Sequence, residues 1–245
     1  IYLSSKEYPL ALDCAKKCLA ASRNSIDGWA LKVLALRKIG KLKEADRSLS
    51  MALEIWPLSR VLLALKGNEA PTRNELAHEV DIETGLWFLS CGEKETARKY
   101  FSQSKSFVGD LMKCYLSKDV EALKSLSSRS VRFAFVFRRE SLKAIDWAVR
   151  INGHWKFRFL RAQFAAANGD TALAKKLLDG IDNADDAVFY LYRKNDGDLD
   201  RAAKLEDSWR VGRAKMKASA EKGDWRKVEE IGRDYLSRYP KCDAI

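Results

Sequence analysis

The segment Gly28–Pro57, GWALKVLALRKIGKLKEADRSLSMALEIWP, carries small or rigid residues at steps of five, seven and five. These residues are Gly40, Ala45, Ala52 and Pro57. Because glycine adopts a left-handed backbone conformation without steric cost, Gly40 can end one helix and reverse the chain. Alanine allows two helices to approach closely, and proline cannot continue a helix. The spacing therefore predicts a helical hairpin with crossing points at Ala45 and Ala52.

Apolar residues recur at helical spacing along most of the chain. Leu12, Ala15 and Leu19 stand three and four residues apart, as on one face of an amphipathic helix. The segment Val131–Arg139, VRFAFVFRR, is the place where a strand could form. Its flanks are helical in pattern, and we interpret it as a buried helix. The periodicity predicts an all-α fold.

The markers of the first hairpin return further along the chain. Gly92 is followed at five residues by Ala97 and at nine by Phe101, as Gly40 is by Ala45 and Leu49. The same spacing recurs at Gly169 with Ala174 and Leu178, at Gly197 with Ala202, and at Gly223 with Val228 and Pro240. Such self-similarity is typical of repeat proteins.

These markers resemble the tetratricopeptide repeat. Its signature runs from Trp, Leu, Gly and Tyr in the first helix to Ala, Phe and Pro in the second. The corresponding places are filled by Trp29, Leu36, Ala45, Leu49 and Pro57. The resemblance implies a right-handed α-α superhelix, a solenoid of antiparallel helix pairs. Because the glycine spacings depart from the family's period, we expect an irregular solenoid.

The markers predict one helical-repeat domain over residues 1–245, which we expect to be a fragment of a longer protein. Its first unit would be half a repeat, in which Ala11, Ala15 and Cys18 belong to a second helix. The expected units are 1–25, 26–59, 73–108, irregular helices over 110–150, then 155–186, a short unit over 187–208, and 209–245.

The resemblance also implies where a partner would bind. In the family, the concave surface is formed mainly by positions two, five, nine and twelve of each first helix. From these positions we select as candidate partner-binding residues Leu34, Arg37, Leu86, Leu89, Phe159, Arg210, Arg213 and Lys217. Family members that hold chaperone tails use Lys and Asn at positions five and nine. Ala30 with Leu34 and Ile82 with Leu86 stand there instead, which argues against that role.

Charge is the second functional signal, since the chain of 245 residues carries a formal net charge of +11. Eight basic residues between Arg132 and Arg161 alternate with aromatic residues. Cations and rings together are typical of proteins that bind single-stranded nucleic acid. The interpretation that we favour is structural: the rings fill the core and the cations face solvent. The sign reverses between Asp182 and Asp200, and such charged zones also suit contact with a protein.

The sequence lacks the motifs that are typical of several classes of protein, and these classes are therefore disfavoured. It contains no glycine-rich phosphate loop, nucleophile elbow or paired-histidine motif, so we expect no catalysis, cofactor or metal site in this segment. No apolar run approaches the roughly 20 residues that span a bilayer. The five cysteines form no disulfide framework; Cys14 and Cys18 would share a helix face. We expect reduced, buried thiols, which favours a reduced intracellular compartment such as the cytoplasm.

The sequence therefore predicts a non-catalytic scaffold that binds a protein or peptide, with an acidic segment in the partner, along a groove. One alternative is single-stranded nucleic-acid binding through 132–161. Another is a structural or dimerisation arm of a larger enzyme, and self-association remains open.

Overall fold

The computed structural model describes residues 2–68, 77–132 and 134–239, without the side chains of 77 and 78. Within these residues the chain forms 15 α-helices that hold 73% of them, and no strand. The predicted all-α fold, with neighbouring helices packed in pairs, is confirmed. The chain divides into two compact units, Ile1–Lys118 and Asp119–Ile245, and each is described by itself. The organisation as one repeat domain stays a prediction.

The helices of the first unit follow one another with short connections. They are α1 (Tyr8–Ala21), α2 (Ile26–Lys38), α3 (Leu42–Ile55), α4 (Arg60–Lys66), α5 (Ala77–Ser90), α6 (Lys94–Gln103) and α7 (Phe107–Ser117). Helix α2 packs against α1, α3 and α4, and α6 packs against α5 and α7. Two polar contacts connect these groups: Trp87 Nε1 donates to Asp27 Oδ1 at 2.9 Å, and Lys38 Nζ lies 2.5 Å from Glu93 Oε1.

The second unit also consists of helices packed in pairs. Its helices are α8 (Val120–Leu126), α9 (Arg139–Asn152), α10 (Trp155–Ala167), α11 (Thr171–Asp179), α12 (Ala187–Arg193), α13 (Asp198–Leu205), α14 (Trp209–Glu221) and α15 (Trp225–Arg238). The hairpins are α10–α11, α12–α13 and α14–α15, and α12 also packs against α14. Helices α12 and α13 have seven and eight residues and lie on either side of the turn that contains Gly197.

Four of the predicted turns share one backbone geometry. Gly40, Gly92, Gly169 and Gly223 have φ angles between +75° and +87°. The N–H of the next residue bonds to the carbonyl five residues before it, as from Lys41 to Leu36 at 2.9 Å. This bond satisfies a carbonyl that the end of the first helix would otherwise leave unpaired. The predicted turn positions are thus confirmed.

A related turn precedes α1. Lys6 has a φ of +63°, and the N–H of Glu7 bonds to the carbonyl of Tyr2 at 2.8 Å. This is the bond that follows each of the four turn glycines. The geometry accords with α1 being the second helix of a hairpin, as expected for a half repeat.

The predicted crossing points lie in the helix interfaces. Ala45 and Ala52 are fully buried, and so is Ala97 at the equivalent place after Gly92. Helix α3 ends at Ile55, before Trp56 and Pro57, as the proline requires. Pro240, the marker at the end of the last hairpin, lies outside the described residues.

The prediction of a buried helix over Val131–Arg139 is wrong. The chain has no regular secondary structure at 134–138, and α9 begins only at Arg139. Burial alternates there: Ala134 and Val136 are buried, whereas Phe135 and Phe137 are exposed. Period-two alternation is typical of extended backbone with one buried face. Local helical flanks therefore did not determine this segment; its contacts with the unit's helices did.

We expect that replacing a turn glycine by a residue with a side chain lowers the stability of the protein. In Gly169→Ala the added Cβ meets no atom within 4 Å, so the cost arises from the φ of +86° alone. The free energy of unfolding should fall by about 1–2 kcal/mol. Urea unfolding followed by circular dichroism measures it.

Gly180→Ala is the matched control, at the other end of the same hairpin. Gly180 has a φ of −79°, and an added Cβ would lie 3.5 Å from its nearest neighbour. Stability should stay unchanged or rise by up to about 1 kcal/mol. Equal losses in the two variants would contradict the assignment of the cost to the turn.

Candidate interaction surface

The first helices of successive hairpins lie side by side in the second unit. Aromatic rings join α10 to α12: the ring centroids of Trp155 and Phe189 are 5.6 Å apart, and those of Phe159 and Tyr192 are 5.2 Å apart. Helix α12 in turn packs against α14. These three helices form the face on which the family resemblance places a binding groove.

Part of that face is covered by the chain itself, over residues 127–132 and 134–138, which we name the covering segment. At the start of α10, Lys156 Nζ donates to the carbonyls of Ser127 and Arg129, both at 2.7 Å. Just past its end, Asn168 Nδ2 donates to the carbonyl of Phe137 at 3.3 Å. The covering segment therefore runs alongside the whole of α10.

Polar contacts fix the covering segment to the neighbouring hairpins as well. Ser130 Oγ donates to Asp186 Oδ2 at 3.2 Å, directly before α12. Arg132 forms an ion pair with Glu206, which lies between α13 and α14, and its Nε is 3.8 Å from Asp186 Oδ1. The segment is thus bound at both ends and in its middle.

The structure places three predicted binding residues in the core, and the accessible position expected for them is wrong. Phe159 is fully buried, and Leu34 and Leu86 are 6% and 4% exposed. Phe159 packs among Trp155, Phe189 and Tyr192. Leu34 lies on α2, which has helices packed on several sides, and Leu86 lies on α5, which packs against α6.

Two further candidates in the first unit are half-buried, Arg37 and Leu89. Arg37 Nη1 donates to the carbonyl of Leu65 at 2.7 Å, in the last turn of α4, and Nη2 is 3.5 Å from Asp46 Oδ1. A cation at a helix C-terminus stabilises that helix. Arg37 thus has a structural role, although it also lines a cavity of about 490 Å³ with Leu53 and Lys66.

The remaining three candidates share α14. Arg213 and Lys217 are exposed, and Arg210 is half-buried beside the ring of Trp209. A cavity of about 390 Å³ opens between α12 and α14. The charged and polar residues on its wall are Lys194, Asn195, Asp196, Lys217 and Glu221, and the apolar ones include Leu191 and Leu199.

A second cavity, of about 270 Å³, shares Leu191 with the first. It is lined by Arg132, Phe135, Val188, Leu191, Tyr192, Glu206 and Arg210. The covering segment contributes one wall, through Arg132 and Phe135. Leu191 therefore separates two adjoining depressions on the part of the face that lies beyond α10.

Lys217, one of the cations on this surface, is only loosely held. Lys217 Nζ is 4.0 Å from Glu221 Oε1, and the two side chains are 72% and 66% exposed. An ion pair this exposed contributes little to stability. Both groups can therefore rearrange toward a partner at small cost.

A buried ion pair fixes the end of helix α12. Arg193 Nε and Nη2 donate to the two carboxylate oxygens of Asp198 at 2.8 and 2.6 Å, and the side chains are 7% and 2% exposed. Burial acts to raise the pKa of Asp198, but the hydrogen bonds from Arg193 and from the N–H of Asn195 outweigh it and lower that pKa. The bidentate contact joins the end of α12 to the start of α13.

The aromatic residues of the basic stretch divide into two groups. Trp147, Trp155, Phe157 and Phe159 are buried, as the structural interpretation requires. Phe135 and Phe137 are 61% and 52% exposed and depart from it. Phe133 lies outside the described residues.

The cysteines also divide. Cys91 and Cys114 are buried as expected, and burial raises the pKa of the Cys91 thiol to about 11. Cys14 and Cys18 are exposed, which corrects the expectation of burial. Cys242 lies outside the described residues.

Where the structure describes the chain, no group of three or more His, Cys, Asp or Glu is placed to hold a metal.

Sequence reasoning missed Leu191, Tyr192, Lys194 and Phe135 as surface residues. Leu191 and Tyr192 belong to α12 and Lys194 follows its last residue; the seven residues of this helix leave little periodic signal. Phe135 was assigned to a helix, although the alternation of VRFAFVF carried the signal of an extended segment.

No protein-family model matches this chain, and no curated protein is detectably similar to it. Among the described residues, no helix is long and apolar enough to cross a membrane.

Asp198→Asn should destabilise the second unit by about 3 kcal/mol, because it leaves the buried Arg193 without its anion. In the unmodified chain, the lowered pKa of Asp198 adds stability that is complete above about pH 5 and is lost as the pH falls below about 4. Urea unfolding between pH 3 and 7 should show a shallower acid dependence in the variant. Asp200→Asn, at an exposed position of the same helix, is the control. An equal effect of the two substitutions would contradict the role of the pair.

Lys156→Met should loosen the covering segment, because the carbonyls of Ser127 and Arg129 lose their charged donor. Limited trypsin digestion should then cleave after Arg129, Arg132 or Arg138 several times faster than in the unmodified chain. Lys217→Met, on the exposed face of α14, should leave the rate unchanged. Unaltered cleavage in Lys156→Met would show that the lysine does not hold the segment.

Proposed function

We propose that the chain is a non-catalytic interaction scaffold that binds an acidic, partly apolar peptide segment of a protein partner between α12 and α14. The observation that carries this proposal is the open cavity of about 390 Å³ between these helices. Its wall combines Leu191 and Leu199 with Lys194 and Lys217, and it also carries Asp196 and Glu221. The excess of positive charge beside the cavity comes from Arg210 and Arg213 on α14.

The chemistry of the wall defines the partner. Leucine side chains bury apolar groups, and exposed lysines attract carboxylates and set the orientation of a ligand. Arg213 extends the positive charge along the exposed side of α14. A peptide with an apolar residue next to Asp or Glu complements both features.

The covering segment decides where on the face such a peptide binds. Along α10 the chain occupies the surface itself, and the accessible stretch begins at α12. The proposal therefore keeps Arg210, Arg213 and Lys217 as binding residues, with Lys194 added from α12. The tetratricopeptide-like identity of the hairpins is part of the same proposal, supported by the four turns of common geometry.

A random peptide library displayed on phage, selected against the purified chain, tests the proposal. We expect enriched peptides that combine Asp or Glu with a large apolar residue. A synthetic, fluorescein-labelled copy of an enriched peptide then serves as the probe in fluorescence polarisation. Arg213→Glu combined with Lys217→Glu should weaken its binding by roughly tenfold, because repulsion replaces attraction.

Arg226→Glu combined with Lys227→Glu is the matched control, since it changes the net charge equally at exposed positions of α15. Binding to this variant should stay within about twofold of the unmodified chain. Enriched peptides without acidic residues, or equal losses in both double variants, would refute the assigned surface. Thermal unfolding of each variant verifies that the fold is intact.

A further inference from the structure

We infer that a second site, distinct from the cavity between α12 and α14, binds single-stranded nucleic acid. It consists of the exposed rings of Phe135 and Phe137 on the covering segment and of the cations on the outer face of α9. The rings would stack against bases, and the cations would contact phosphates.

The two rings are presented by extended backbone. Ala134 and Val136 are turned inward, so Phe135 and Phe137 lie on the same outer side, two residues apart. At about 3.3 Å per residue, their backbone positions are about 6.6 Å apart. This is about twice the base spacing within one strand of a duplex, about 3.4 Å. The rings can therefore contact successive bases of an unstacked strand but do not fit a stacked one.

The two exposed rings are carried by a backbone that is fixed in place. The carbonyl of Phe137 accepts from Asn168, and the anchors at Lys156, Ser130 and Arg132 hold the preceding residues. Rings on a fixed backbone lose little conformational entropy when they stack. Phe135 also lines the cavity of about 270 Å³, where Tyr192 supplies a second aromatic wall.

A basic stripe begins beside Phe137 and follows α9. Arg139, Lys143 and Arg150 are all exposed, and their spacing of four and seven residues places them on one face of the helix. The stripe is about 16 Å long at 1.5 Å per residue. Its cations provide a track for several phosphates that continues from the two rings.

Two acidic groups near this track are already bound to cations, whereas a third, the half-buried Glu140, stands next to Arg139 in the first turn of α9. Asp146, on the same face of α9, accepts from Arg161 Nε at 2.8 Å. Glu206, on the wall of the 270 Å³ cavity, pairs with Arg132. Repulsion of phosphates by these two carboxylates is therefore largely compensated, and the net charge of +11 favours the polyanion.

Fluorescence anisotropy with fluorescein-labelled oligo-dT and oligo-rU of 16 nucleotides tests the inference. We expect binding at 50 mM salt that weakens as salt rises, with a log–log slope of about −2, since each phosphate in a single strand contributes about −0.7. Binding of either probe supports the site, and the ratio of the two affinities tells whether DNA or RNA is preferred.

Variants separate stacking from simple hydrophobic contact. Phe135→Leu and Phe137→Leu should each weaken binding roughly fivefold or more, whereas Phe135→Tyr and Phe137→Tyr should stay within about twofold, because tyrosine keeps the stacking ring. Changing Arg139, Lys143 and Arg150 together to Gln should bring the salt slope close to zero. Trp225→Leu and Arg226→Gln, at exposed positions of α15, are the matched controls and should bind normally.

No binding of either probe at 50 mM salt would overturn the inference and leave the exposed rings to a protein contact. Equal binding by the Leu and Tyr variants, or equal losses in the α15 controls, would also overturn it. Because none of these substitutions touches Arg213 or Lys217, failure here leaves the proposed peptide site untouched. Circular dichroism shows whether each variant is folded.

Discussion

The left-handed turn between paired helices is the constraint on which the rest of the structure depends. At Gly40, Gly92, Gly169 and Gly223 the chain reverses within two residues, because a positive φ lets the next N–H bond back to the helix that has just ended. A reversal this tight brings the second helix against the first, and at three of the four turns the residue five places later is an alanine, which lets the two axes approach closely. Burial of Ala45, Ala97 and Ala174 follows from that geometry. One hairpin cannot cover its own apolar face, and neighbouring hairpins must do so.

What depends on this local geometry could be predicted from the sequence. The turn glycines, the end of α3 before Pro57 and the all-helical class rest on residues close together in the chain. The accessibility of the groove could not be predicted. The family resemblance assigns Phe159 on α10 and Lys217 on α14 to the same groove. Phe159 is nevertheless buried among rings from α10 and α12, whereas Lys217 faces solvent. This difference in accessibility depends on the elements that pack against each helix. Because those elements are distant in sequence, no local pattern predicts it.

In the covering segment, contacts with residues distant in sequence outweigh the helical pattern of its flanks. Its run of valine, phenylalanine and arginine sits between helical patterns, and its conformation is decided by partners distant in sequence: Lys156, Asn168, Asp186 and Glu206. These contacts hold residues 134–138 as an extended strip in which Ala134 and Val136 are buried. They also produce both candidate sites, because the strip leaves the α12–α14 cavity open and carries Phe135 and Phe137 outward.

The bonds between Lys156 and the covering segment have a further consequence for the specificity of the face. A segment tethered in place competes with any free peptide at an effective concentration of the order of millimolar. If the segment's own contacts have a dissociation constant of the order of micromolar, they weaken the binding of any free peptide to α10 roughly a thousandfold. Ordinary ligands are thereby directed away from α10, and only a partner that also breaks the Lys156 contacts gains access to it. The chain's own residues thus act as the first competitor that any ligand of this helix meets.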